Sequence, residues 1–167
     1  MSGVHCLQSF LTALSRRAPR MRYHLNEGQF DIPEDGRIDR SMNVLAMPDG
    51  SGTTLIVSRD ALRTQETLAQ FVTRQMNDLT RQVSQLKEVS RTDIAVGPAI
   101  ASLHAIELVT QFKQNGQALH QRQAVFLLPQ DPGGRSVLIL TASSPVPFDA
   151  EAIALWRRVL ESFQPRA

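Results

Sequence analysis

Asn115-Gly116 stands between two long runs of strand-forming residues, 101–113 and 119–128. The central residues of a tight hairpin turn take positive φ, which asparagine and glycine tolerate at least cost, so this pair predicts a long antiparallel hairpin. Such a hairpin needs neighbours, because two strands alone bury too little surface to be stable in water. The rest of the chain supplies them. Residues 23–32 alternate toward Pro33 and the turn pair Asp35-Gly36 and are expected to form one strand. Residues 41–47 place Met42, Val44 and Ala46 on one face and Asn43, Leu45 and Met47 on the other. The turn cluster Pro48-Asp-Gly-Ser-Gly52 leads into a β-branched run over 53–58. Short strands are expected over 92–96, before Gly97-Pro98, and over 136–142, after Asp131-Pro-Gly-Gly134.

Two segments have helical spacing instead. From Thr67 to about Lys87, residues Leu68, Phe71, Val72, Gln75, Met76, Leu79, Val83 and Leu86 recur at intervals of three and four. Thr64 or Thr67 is the expected N-cap, and Lys87 would sit near the carboxyl end. A last helix over about 149–163 carries Ile153, Trp156, Val159, Leu160 and Phe163 on one face. Strands on either side of a helix, joined mostly as hairpins, predict an α+β domain dominated by antiparallel sheet with two principal helices. At 167 residues the chain is long enough to bury a real core.

Charge and composition narrow the function. The formal net charge is +2, but Arg16, Arg17 and Arg20 lie in an acid-free stretch at the start, and removing those three charges leaves −1. A domain with that balance, and with no Arg-aromatic stripe for stacking bases, is not expected to bind nucleic acid. No apolar run reaches the ~20 residues needed to cross a bilayer, so no stable membrane insertion is expected. Cys6 is the single cysteine and forms no disulfide framework. Residues 1–20 lack the charge order of a secretory signal, since the arginines follow the apolar stretch. They can be read as an organellar transit peptide or, preferably, as an extension upstream of a start at Met21. The expected organisation is a peripheral segment over 1–20 and one domain over 21–167.

No catalytic, metal or cofactor site is expected. His5, His24, His104 and His120 have no ligand partners at metal-binding spacing; the hairpin offers a pairing of His104 with His120, but two histidines alone do not define a zinc site. Ser58-Arg59-Asp60 lacks a positioned base, without which serine is a weak nucleophile. It reads better as a strand end, with Asp60 accepting backbone N–H bonds and Arg59 in solvent or an ion pair. Gln75 and Gln123 are the informative residues. Gln75 interrupts an apolar helix face, and Gln123 alternates with Gln121, Val125 and Leu127. A buried amide without a partner costs about 1–3 kcal/mol. Each glutamine therefore either bonds a neighbouring strand or lines an open groove.

The segments Tyr23-x-Leu25-x-Glu27, Ser41-Met-Asn-Val44 and Leu55-Ile-Val-Ser-Arg-Asp60 resemble the Eag-type effector chaperones of bacterial type VI secretion. The resemblance runs from about Met21 to Arg166 and implies a Mog/PsbP-like α+β fold. It also implies a cytoplasmic, non-enzymatic homodimer that shields transmembrane helices near the N-terminus of a type VI effector in an apolar groove. The groove's apolar positions correspond to Met42, Val44, Ile56, Leu79 and Val83, and its glutamines to Gln75 and Gln123. Met42 stands where isoleucine is common in the family, and Leu79 where a small residue can occur. The alternatives are a PsbP- or DcrB-like assembly or envelope-associated scaffold, and a small-molecule carrier.

Overall fold

The computed structural model describes residues 20–165 except Asn26 and Asp35. The elements run β1 (Arg20–His24), β2 (Gln29–Pro33), β3 (Met42–Leu45), β4 (Thr54–Ala61), α1 (Leu68–Thr80), β5 (Ser84–Val96), a 3₁₀ turn (Ala99–Ala101), β6 (Leu103–Gln114), β7 (Gln117–Leu127), β8 (Ser136–Ser144) and α2 (Ala150–Glu161). They divide into two compact units, 1–37 and 38–167. The expected peripheral segment lies outside the described residues apart from Arg20, which opens β1.

In the first unit the expected single strand over 23–32 is a hairpin. β1 pairs antiparallel with β2, in register Met21 with Ile32 and Tyr23 with Phe30. The chain reverses where the Leu25 N–H donates to the Gly28 carbonyl at 2.7 Å. Alternation continues through a reversal of direction, so the apolar pattern alone does not reveal the turn. Tyr23 and Phe30 meet with ring centroids 5.3 Å apart.

The second unit is an α+β domain built on one antiparallel sheet, ordered β3-β4-β8-β7-β6-β5. The Asn115-Gly116 turn joins β6 to β7 as expected, with φ of 50° and 80°. One helix packs on each face. Phe71, Val72 and Met76 of α1 are buried against Ile106, Leu108, Val125, Val137 and Ile139. Trp156 and Leu160 of α2 are buried against Val96, Ala105, Ala124, Phe126, Leu138 and Leu140. Alternation along each strand sends successive side chains to these opposite faces.

Both helices begin where local chemistry directs. Thr67 Oγ1 accepts the Gln70 N–H, and Gln70 Oε1 accepts the Thr67 N–H, so two orphan donors are satisfied together. Asp149 caps α2 by accepting the Ala152 N–H at 2.8 Å. The end of α1 differs from the sequence expectation. It stops at Thr80, and Lys87 and Leu86 lie in β5. Pairing β5 along β6 satisfies many more backbone groups than two further helical turns would, and Gln85 turns the chain at φ 56° where the ladder is irregular. The expected strand over 92–96 is the end of this much longer one.

A partly buried ion pair braces the start of α1. Arg74 Nε and Nη2 donate to the two oxygens of Glu66 at 2.7 and 2.9 Å. These bonds, with help from the Arg63 N–H, hold the Glu66 carboxyl down at about 2 from its ordinary 4.5. In the loop between β7 and β8, the backbone N–H groups of Arg135, Ser136 and Gly133 hold Asp131 down at about 2 as well. Both shifts depress the folded-state value. Their stabilisation is therefore complete above the ordinary carboxylate range and is lost as pH falls from about 4.5 toward 2. Urea unfolding midpoints should drop across that window. Glu66→Gln should cost about 2 kcal/mol at neutral pH and flatten the drop.

Candidate functional site

Sheet register brings four of the sequence-selected residues onto one face. Val44 in β3 pairs with Ile56 in β4, Ile56 with Thr141 in β8, Thr141 with Gln123 in β7, and Gln123 with Leu108 in β6. Residues opposite one another across strands point the same way, so one row crosses the sheet as valine, isoleucine, threonine, glutamine and leucine. The adjacent row is Met42, Ser58, Ile139, Val125 and Ile106.

α1 lies on this same face but buries only part of it. Its core contacts are with Ile106, Leu108, Val125, Val137 and Ile139. At the β3 end, Met42 is 63% exposed and Val44 is 59% exposed, while Ile56 and Gln123 are half-buried between the two extremes. Leu79 on α1 is half-buried and packs against the core. Val83 is not helical, as its sequence spacing implied, but it stays one turn beyond Leu79 because its N–H still donates to the Leu79 carbonyl at 3.1 Å. All the selected strand positions and α1 therefore belong to one side of the sheet, with an apolar strip left open to solvent along β3.

The glutamines are neither misfit core residues nor unpartnered. Gln75 Nε2 donates to Asp60 Oδ2 at 3.2 Å, joining α1 to β4. Gln123 Nε2 donates to Thr141 Oγ1 at 3.3 Å, and Gln121 Nε2 to Ser143 Oγ at 3.4 Å. Thr141 and Ser143 escaped notice in the sequence. The available signal was their place in the alternation of Val137 and Ile139, which puts two hydroxyls on a face that begins as core. The result is a polar patch of amides and hydroxyls beside the apolar strip.

Ser58, Arg59 and Asp60 divide between the two faces. Ser58 shares its row with the apolar Met42 and Ile139. Arg59 points the other way and donates from Nη1 to Ser41 Oγ at 3.0 Å and Asn43 Oδ1 at 2.9 Å. Asp60 accepts its neighbour's backbone N–H, from Ala61, at 2.8 Å. His104 and His120 do not face each other, because the register pairs His104 with Ala95 and His120 with Gln111. They sit on opposite faces, and His104 Nε2 lies 2.8 Å from Asp93 Oδ1 at the surface. Among the described residues no group of three or more His, Cys, Asp or Glu side chains could hold a metal ion. No helix among them is long and apolar enough to cross a membrane.

Known proteins share this architecture. A crystal structure of a protein of unknown function from Pseudomonas aeruginosa, PA94, superposes with a TM-score of 0.65 at 25% identity, covering 89% of this chain and 98% of that one. The P. aeruginosa protein named Effector EagT6 is 27% identical over 148 residues, spanning 86% of this chain and 95% of its own length. The Eag resemblance carried by the sequence motifs is borne out by that relationship. The match to the DcrB family extends over residues 27–162, from the first hairpin to the last residues of α2, and on that evidence the chain belongs to the DcrB family.

Proposed function

We propose that this protein is a chaperone or adaptor that shelters the hydrophobic transmembrane helices of a type VI secretion effector before export. The observation that carries the reading is the open apolar strip of Met42 and Val44 continuing into Ile56, beside Gln123 and Thr141. A solitary exposed apolar residue means little, but apolar side chains aligned in register on a half-covered face support a binding-surface reading. Covering a Leu-sized side chain contributes about 1.5–3 kcal/mol, so a few such contacts compete with aggregation of an exposed apolar helix. Methionine at Met42 suits a surface that accepts varied side chains. The relationship to Effector EagT6 supports the same reading. The domain over 21–167 would work in the cytoplasm, without enzymatic activity, as a homodimer.

Co-expression with the N-terminal transmembrane region of a type VI effector tests this. The expected result is a soluble complex, with the effector segment moving to the pellet when the chaperone is withheld. Membership of the DcrB family favours, as a second reading, an envelope-associated scaffold. Cell fractionation separates the two, since the chaperone should be recovered with the cytoplasm.

Gln75→Leu and Gln123→Leu distinguish a binding role from a structural one. Each removes one modest hydrogen bond, so the free protein should stay folded, with stability changed by no more than about 1.5 kcal/mol. Capture or release of the effector segment should change in both variants. Unchanged binding in both would remove the glutamines from the site.

A further inference from the structure

Gln75 carries a donor and an acceptor on one flat amide, and which of them is left for a partner depends on what holds the other. Asp60 decides this. Its carboxylate only accepts hydrogen bonds, so the contact to Gln75 can be made only through Nε2. Asp60 is itself fixed: the Ala61 N–H donates to Oδ1 at 2.8 Å, and Arg40 Nε lies 3.4 Å from the same oxygen. The Asp60 side chain is only 16% exposed, whereas that of Arg40 is 70% exposed. Arg74, on α1 itself, is committed to Glu66 in a two-bond pair. No competing acceptor is needed to orient the amide, because the chemistry of Asp60 alone excludes the flipped form.

We infer that Asp60 is a positioning residue that turns the Gln75 carbonyl oxygen outward, so that this site selects apolar helices carrying a hydrogen-bond donor such as a serine hydroxyl. Gln123 Nε2 also contacts Thr141 Oγ1, but a hydroxyl both donates and accepts, so Thr141 does not fix that amide's orientation and the selectivity rests on Gln75. This rests on the chaperone reading above and specifies the polar chemistry that its partner helix presents. A helix with an acceptor at the matching position would meet oxygen against oxygen.

The probes are lysine-flanked Leu/Ala helical peptides that differ at one central residue: serine, O-methylserine or alanine. O-methylserine keeps the acceptor of serine and loses its donor. The wild-type protein should bind the serine peptide about three- to tenfold more tightly than the O-methylserine peptide, the range of one net hydrogen bond. In Asp60→Asn the new side chain offers both a donor and an acceptor, so the Gln75 amide is free to flip and the preference should fall to about one. Gln75→Ala should abolish the preference in the same way. Amide NMR of the free wild-type protein provides a readout independent of the variant's folding. The Gln75 Nε2 protons, assigned by their loss in Gln75→Ala, should exchange slowly with solvent. An undiminished serine preference in folded Asp60→Asn overturns the positioning role, as do rapidly exchanging Gln75 protons in the wild type. If all three peptides bind equally well, the groove stands and the donor selectivity falls. If none binds, the chaperone reading falls and this inference with it.

Discussion

Val44→Asp should leave the protein folded and weaken capture of an apolar helix by at least about a hundredfold. Val44 is 59% exposed on a short strand at the end of the sheet order, so the new carboxylate remains in water in the free protein. Exposed substitutions of this kind change stability by only about 0.5 kcal/mol. Binding would press the same carboxylate against an apolar partner with nothing to pair it, at a cost of several kcal/mol. Each 1.4 kcal/mol is a factor of about ten in affinity. Circular dichroism and thermal unfolding report on the fold, and fractionation of a co-expressed effector segment reports on capture. A folded variant that still keeps the effector soluble would place the groove elsewhere. Leu79→Asp is not an equivalent test, although the sequence gives both residues the same assignment. Leu79 packs against the buried cluster under α1, so a charge there should unfold the domain before binding can be measured.

Glu107→Ala should be the most destabilising single change outside the aliphatic core, at about 3–5 kcal/mol. Glu107 Oε1 accepts from Trp156 Nε1 at 2.7 Å and from Arg122 Nη1 at 3.1 Å, which ties α2 to the middle of the sheet. Glu107 and Arg122 side chains are 16% and 19% exposed, and Arg122 Nε is already buried without a partner. Removing the carboxylate leaves a mostly buried cation and an indole N–H with nothing to bond. Glu107→Gln keeps an acceptor for the indole and should cost less. Urea denaturation followed by fluorescence measures this directly, because Trp156 is the single tryptophan. Glu107 lies on the α2 face, away from Met42 and Val44, so the folded fraction should capture the effector normally. Loss of capture in the folded fraction would mean that the α2 face takes part in binding. The two variants thus separate binding from stability on opposite faces of one sheet.

Sequence by itself determined the features that depend on neighbouring residues. The Asn115-Gly116 turn, the cap at Thr67 (one of two candidates with Thr64), the alternation along β3 and the apolar stripe of α2 rest on interactions within a few positions, so their signals are local. The same locality misled the reading of 67–87. Val83 and Leu86 continue a helical spacing, but the decision to leave the helix belongs to β6, whose strand pairs with the segment from across a hairpin connection. The reversal between β1 and β2 was hidden for a related reason, since alternation has the same period before and after a turn. Only the tertiary structure decided what the site residues face. Gln75 finds Asp60 across 15 positions, and Trp156 finds Glu107 across 49. Val44 and Leu79 both look like core in sequence, and one is open while the other is packed. That difference is set by where α1 comes to rest on a sheet wider than one helix can cover. The coverage is a property of the assembled layers, and no stretch of the chain encodes it alone.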